Sequence, residues 1–509
     1  MKKSIKFLAS MAATLLVAGT ALPMTACGGD SVSGINTGKV NVVAYNGEAV
    51  TISFYHSMGA NLKGILGDCI KDFNKLYPNI NIQHTSFGDY PGVRDQITTE
   101  LSAGRGPSLA YCYPDHVALY NKSKAVLTLD DYIASTLEVT RADGSKEQIG
   151  LTQEQVNDYV PLYYNEGKIY GDNLMYTLPM LKSTELLYYN ATYFNDNNLK
   201  VPTTWDEMEA TCKKIVEIES AKEGGLKANP CIPLGYDSGA NWFITMTEQL
   251  NSGYTTSEKG NYYTFNNEKN RAFVEKFRGW YEKGYVTTEE IFGSYTSDLF
   301  TETNASKTKC YMCIGSSAGA GYQTPDLVGG KVPFNVGVAM IPQEDPANPT
   351  MISQGPSLCL FKKQNAQEVA AAWLFAKYIT TTVKHQAKFS MMNGYTCAIQ
   401  SVANDEVYSS EDFLANVIGA TPIMENKELG IVAYGNDNLQ AASVKLTMDF
   451  KDYYFVSPAF VGSSEARDEM ALLMKNCFQQ KPSGNQTKAD LIKSFFDSTY
   501  NNLKKKYDK

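Results

Sequence analysis

The chain has 509 residues, room for two or more domains with large cores. At 43% hydrophobic and 20% charged, its composition is that of a soluble globular protein rather than a disordered or membrane-spanning one. A formal net charge of -8 argues against a general nucleic-acid binder, which needs clustered Lys and Arg to neutralise phosphates.

In chain order, residues 1–26 read as a targeting segment. Lys2, Lys3 and Lys6 give a basic start, and Phe7 to Leu22 is an apolar run short for a membrane span. Met24-Thr25-Ala26-Cys27, followed by Gly28 and Gly29, resembles the lipobox of bacterial lipoproteins, with Met24 where Leu is usual. The resemblance implies a lipidated Cys27, an anchor of several acyl chains, and a place on the extracellular face of the bacterial cell membrane. Of the 10 cysteines the remaining nine are odd in number and irregularly spaced, so no disulfide framework is expected. Cys69 and Cys212 fall on apolar helix faces as small buried hydrophobes. Residues 27–47 read as a lipidated flexible tether; Ser31 to Asn46 is rich in Ser, Gly and Asn, and such a chain spans roughly 25 Å.

Val50 to Tyr55 alternates as a strand with Val50, Ile52 and Phe54 on one face. Leu62, Ile65, Leu66, Cys69, Ile70 and Phe73 then form an amphipathic helix stopped by Pro78. A strand follows at Ile80 to His84, a helix with Val93, Ile97 and Leu101 inward, and an apolar strand at Leu109 to Tyr113. Strand, helix, strand, helix, strand predicts an α/β lobe with parallel pairing, whose ligands sit beyond the carboxyl ends of the strands. The polar stretch from Asp130 to Asp172 reads as an insertion or long surface excursion.

Leu186 to Tyr189 is a short apolar strand, and Thr204 with Glu207 spells a capping box for a helix that buries Met208, Cys212, Ile215 and Val216. Trp242 to Leu250 and the stretch holding Phe273, Phe277, Trp280 and Tyr281 are predicted helices. Strands are expected at Lys309 to Ile314, Val332 to Ile341 and Leu358 to Phe361. A helix covers Gln367 to Ile379, and helices dominate the remainder to Tyr500. The domain reading is 48–180 as the first part of lobe 1, 181–320 as the first part of lobe 2, 321–361 as the return to lobe 1, and 362–509 as a helical second part of lobe 2.

Five segments in order carry a family resemblance: Phe54-Tyr55-His56-Ser57-Met58-Gly59; Gly106-Pro107 leading to Tyr113-Pro114-Asp115; Ala125 to Tyr132; the apolar-Tyr-Tyr-Asn of Leu186 to Asn190 followed by Pro202 to Glu207; and Ala371 to Phe375 with Asn393-Gly394-Tyr395. Together with the lipobox they resemble the extracellular solute-binding proteins of bacterial ABC transporters, of the carbohydrate-binding type that includes maltodextrin-binding and glycerol-3-phosphate-binding proteins. The resemblance implies an α/β, two-lobed periplasmic-binding-protein-like fold with multiple interlobe crossovers, closing on its ligand by hinge motion. By position, it implies that Tyr55, His56, Ser57, Tyr113 and Asp115 face the cleft from lobe 1. Ser183 and Thr184 lie at the first crossover, Trp242, Ser316 and Ser317 come from the lobe 2 side, and Tyr395 comes from the late loop. Ser316 and Ser317 stand where many relatives have an aromatic residue, so Trp242 or Tyr322 is expected to stack instead.

The implied function is capture of a carbohydrate, an oligosaccharide by expectation, and delivery to ABC transporter permease subunits by a monomer without a cofactor. The 33 tyrosines suit such a role, each offering a flat apolar face and a hydroxyl. The alternatives are a polyol phosphate such as glycerol 3-phosphate, which wants Arg or Lys in the cleft, and a surface hydrolase acting on glycans, which wants paired carboxylates. Gly315-Ser316-Ser317-Ala318-Gly319 matches the G-x-S-x-G of a nucleophile elbow, with His385 downstream. The elbow needs a helix directly behind it, and Pro325, Gly329, Gly330 and Pro333 oppose one. Cys310-Tyr311-Met312-Cys313 is a lone C-x-x-C in a strand, where alternation points the sulfurs to opposite faces, so neither zinc nor redox chemistry is expected.

Overall fold

The computed structural model describes residues 34–404 and 422–508. Two β-sheets organise them, each with its own apolar core. The first sheet has the order Ile80–Ser86, Val50–His56, Leu109–Cys112, Ser357–Leu360, Thr177–Pro179. Its first three strands are parallel, as the strand-helix alternation predicts, and Ser357–Leu360 runs against both neighbours. Val50, Ile52 and Phe54 point inward, and helix Ala60–Leu76 covers them with Leu62, Ile65, Leu66, Cys69 and Phe73.

The second sheet has the order Val286–Thr288, Leu234–Tyr236, Met312–Ser316, Glu185–Asn190, Val336–Met340, Ile431–Tyr434, Met424–Asn426. Helix Trp205–Ala221 begins at the expected capping box: the Glu207 amide donates to Thr204 Oγ1 at 3.2 Å, and the Thr204 amide donates to Glu207 Oε2 at 3.3 Å. Its Trp205 joins Trp242, Phe277 and Trp280 in the aromatic centre of this lobe. The helices Ser463–Gln479 and Lys488–Tyr507 close that core.

Three placements differ from the sequence reading. Val336–Met340, expected in lobe 1, pairs antiparallel with Glu185–Asn190 in the second sheet. Gly337 permits this, because a Cβ there would come within 2.1 Å of the Tyr189 ring. Helix Ala366–Thr381, expected in lobe 2, packs on the first sheet, with Phe375 at 6.2 Å from Phe54 and 5.3 Å from Phe73. Its other side is covered by the polar stretch that follows Asp130, since Trp373 Nε1 donates to Ile149 O at 2.9 Å and Lys377 Nζ to Gln148 O at 2.6 Å. That stretch is an ordered cap rather than a free excursion. The third difference is the tether. Residues 34–47 lie along the first lobe, tied by Ile35 N to Gly104 O at 2.9 Å and Asn36 N to Lys362 O at 3.0 Å, with Tyr45 buried. Cys27 and its lipobox lie outside the described residues.

The chain crosses between the sheets at 180–184 and returns at 353–356. The two crossovers bind each other, Ser183 N to Gln354 O at 2.8 Å and Gln354 N to Ser183 O at 3.0 Å. Gly355 has φ +104°, and a Cβ there would meet the Leu181 carbonyl at 2.5 Å, so the residue must be glycine for the crossovers to touch. Thr396–Cys397 pairs with Leu181–Lys182 on the same seam.

Candidate functional site

Beside these crossovers the two lobes enclose a cavity of about 570 Å³, counting its open mouth. Tyr113, Asp115 and Glu166 line it from the first lobe; Ile244, Tyr254 and Arg467 line it from the second; Ser353 and Gln354 line it from the returning crossover. Tyr113 stands where strand Leu109–Cys112 has ended, and Pro114 opens the next helix directly behind it, with Asp115 in its first turn. The Tyr113 ring stacks on Tyr90 at 4.4 Å, and the Arg467 guanidinium lies over it at 5.9 Å from the centroid. Tyr90 in turn meets Tyr395, hydroxyl to hydroxyl, at 3.4 Å.

Arg467 is held from behind by a buried polar chain. It donates to Asn241 Oδ1, and Asn241 Nδ2 donates to Glu185 Oε1 at 2.9 Å and Gln354 Oε1 at 3.0 Å. Glu185 also accepts from Tyr236 OH at 2.6 Å. Burial pushes the Glu185 carboxyl up to about 7, against the hydrogen bonds from Tyr236 and Asn241 that pull it down. Across the rim, Arg94 of the first lobe binds Asp468 at 2.8 Å and Ser464 Oγ at 3.1 Å, both on the helix that carries Arg467.

Four buried polar atoms of the lining have no hydrogen-bond partner among the described residues: Asp115 Oδ2, Glu166 Oε2, Tyr254 OH and Ser353 Oγ. Each such group costs about 1 to 3 kcal/mol unless something supplies the missing bond. Two are acidic acceptors and two are hydroxyls, and they stand around the stacked tyrosines. The arrangement can bind a small molecule that offers several hydrogen bonds and an apolar face.

Of the residues expected from the sequence, Tyr113 and Asp115 line this cavity, and Tyr395 joins them through Tyr90. Tyr55 is buried, donating to Glu100 at 3.0 Å. His56 is fully buried; its Nδ1 accepts from Met58 N at 3.0 Å and its Nε2 meets His84 Nδ1 at 3.0 Å. Ser57, half-buried, does not line the cavity. Ser183 and Thr184 are at the first crossover as expected, where the Ser183 backbone pairs with Gln354 and Thr184 Oγ1 donates to Ile352 O at 2.8 Å. Ser317 is spent on the same seam, its Oγ accepting from Thr184 N at 3.3 Å, and Ser316 Oγ accepts from Ala318 N at 3.2 Å. Trp242 lies at the centre of the second core, 4.9 Å from Tyr236 and 4.3 Å from Phe277, with no face left for a ligand. Tyr322 is 80% exposed.

Glu166, Tyr254, Ser353, Gln354 and Arg467 are cavity residues that the sequence reading did not single out. The basic residue absent from the expected set is Arg467. It sits on the late helix Ser463–Gln479 with no motif around it, one turn in from the helix start. The nucleophile elbow is not assembled. Ser317 and Ala318 enter a 3-10 turn, and His385 bonds Tyr378 OH at 3.0 Å rather than a serine. Cys310 and Cys313 are buried free thiols.

The profile of the bacterial extracellular solute-binding proteins matches residues 68–416, more than half of the chain. The chain belongs to this family. It is a solute-binding protein and not an enzyme, placed by its family outside the bacterial cytoplasm. It is 29% identical to the "multiple sugar-binding protein" of Streptococcus mutans over 179 residues, 35% of each chain, so the match spans about a third of that relative. It is 23% identical over 402 residues to the sn-glycerol-3-phosphate-binding periplasmic protein UgpB of Rhizobium meliloti, covering 75% of this solute-binding protein and 83% of the relative. Among solved structures, maltose-bound T. maritima MalE3 superposes with a TM-score of 0.62 at 16% identity, covering 89% of this chain and 99% of that one. That likeness establishes the two-lobed fold.

Proposed function

We propose that this protein captures a carbohydrate, an oligosaccharide by its family resemblance, in the cavity between its lobes and delivers it to the permease subunits of an ABC importer. The observation that carries the reading is the set of four unpartnered polar atoms around Tyr113. A sugar presents hydroxyls in several directions and C-H faces between them, so it can satisfy those atoms and pack on tyrosine in one pose. The charges around the cavity balance, Asp115 and Glu166 against Arg467 and Lys182, which favours a neutral solute. Because both lobes contribute contacts, a bound sugar stabilises the closed form over the open one. The ATP that drives import is hydrolysed by the partner.

Arg467 supports a second reading, a polyol phosphate such as glycerol 3-phosphate, with the guanidinium as the phosphate partner. The test is a thermal-shift screen against maltose, maltotriose, isomaltose, sucrose, raffinose and glycerol 3-phosphate. A sugar at about 100 times its Kd should stabilise the fold by about 2.7 kcal/mol. A rise with glycerol 3-phosphate alone would move the assignment to the second reading. For the membrane side we propose that Cys27 carries the lipid that holds the protein at the extracellular face. Cell fractionation should find the wild type with membranes and Cys27→Ala in the soluble fraction; a Cys27→Ala protein still sedimenting with membranes contradicts the anchor.

A further inference from the structure

Resting on the carbohydrate reading, we infer that Glu166 is a specificity-determining acceptor for one hydroxyl of the bound sugar, with Lys182 as its positioning residue. Glu166 and Lys182 are both buried, 3% and 0% exposed, and Lys182 Nζ lies 2.6 Å from Glu166 Oε1. The ammonium has three N–H groups and three acceptors within reach: Glu166 Oε1, Ser357 Oγ at 3.1 Å and Gly355 O at 3.5 Å. Lys182 is therefore saturated and cannot also serve Oε2. Glu166 Oε2 is left buried, without a partner among the described residues, on a residue that lines the cavity.

A carboxylate oxygen only accepts, so whatever satisfies Oε2 must donate. The Lys182 charge already balances the carboxylate, so the donor need not be a cation. A neutral O–H fits; an acceptor-only group, such as an ether or phosphate oxygen, repels at this point. Lys182 is on the outgoing crossover and Gly355 on the returning one, so Oε2 is positioned by the same two segments that link the lobes. Neither residue carries a local sequence signal, since Glu166 lies in the polar 130–172 stretch and Lys182 flanks Ser183 without a motif.

The test couples the residue to the ligand. The probe is the tightest-binding sugar of maltose, maltotriose, isomaltose, sucrose and raffinose, with its monodeoxyfluoro analogues, in which fluorine keeps the size of a hydroxyl and cannot donate. In the wild type, fluorine at one position should weaken binding at least about tenfold, the size expected for losing a hydrogen bond to a charged group. In Glu166→Gln the amide can present N–H to the cavity, and that same fluorine should cost less than about threefold. Melting curves check that the variant is folded. Should Glu166→Gln prove unstable because Lys182 is left without its counter-charge, Glu166→Gln with Lys182→Met removes both charges and undergoes the same titration. Unchanged fluorine penalties at every position in a folded variant overturn the Glu166 assignment while leaving the carbohydrate reading standing. A wild type that binds none of the five sugars overturns both.

Discussion

His56 illustrates how a residue's environment decides its use. Its Nδ1 accepts from the Met58 amide, so its proton sits on Nε2 and is donated to His84. Burial, then the neighbouring His84 and Lys63, lowers the His56 pKa to about 3. An unfolded imidazole binds its proton below about pH 6.5. Between those values the unfolded chain holds the extra proton, so the stability contributed by neutral His56 is complete above about pH 6.5 and is lost as pH falls. The loss is at most about 1.4 kcal/mol per pH unit. Thermal melts from about pH 7 to about pH 4 should therefore show a smaller drop for His56→Gln than for the wild type. Parallel drops would mean that His56 already takes up its proton in the folded state. Sequence could place His56 at a strand end but not inside it, because burial there depends on His84, 28 residues away.

Elements were legible where their signals are local. The capping box at Thr204 and Glu207 fixes the start of its helix through bonds three residues apart, worth about 1 kcal/mol at such a cap. The face of helix Ala60–Leu76 and the alternation of Val50–His56 follow from periodicity alone. What differs after residue 320 is the lobe of two elements, while Ser357–Leu360 and the last two helices lie in the lobes expected. A strand such as Val336–Met340 carries no mark of which sheet it joins, and its partner Glu185–Asn190 is some 150 residues earlier in the chain. Helix Ala366–Thr381 misled for a related reason: it is buried on most of its circumference, between the first sheet and the 130–172 cap, so its pattern could not name the side it packs on. The candidate site was legible in part. Tyr113 and Asp115 follow a strand end, a position that sequence can find. Glu166 and Arg467 are drawn in from remote segments by the tertiary fold.

At the scale of the whole molecule, two sheets tied by paired crossovers meet over a cavity whose polar atoms come from both sides and from the seam. Arg94 to Asp468 and Arg467 over Tyr113 join the lobes around it. Asp468 is half exposed, so that ion pair is weakened by salt and contributes little to holding the lobes together. In the proposed function, closure is driven by the bound solute. Asp115 allows the most direct test, because its Oδ2 is buried and unpartnered and its loss should not weaken the fold. The measurement is isothermal titration of the wild type and of Asp115→Ala with the best sugar from the thermal-shift screen. The account predicts one-site binding to the wild type and affinity at least about tenfold weaker in an Asp115→Ala protein that melts no lower. Equal affinity in the two proteins, or no sugar bound by the wild type, would contradict it.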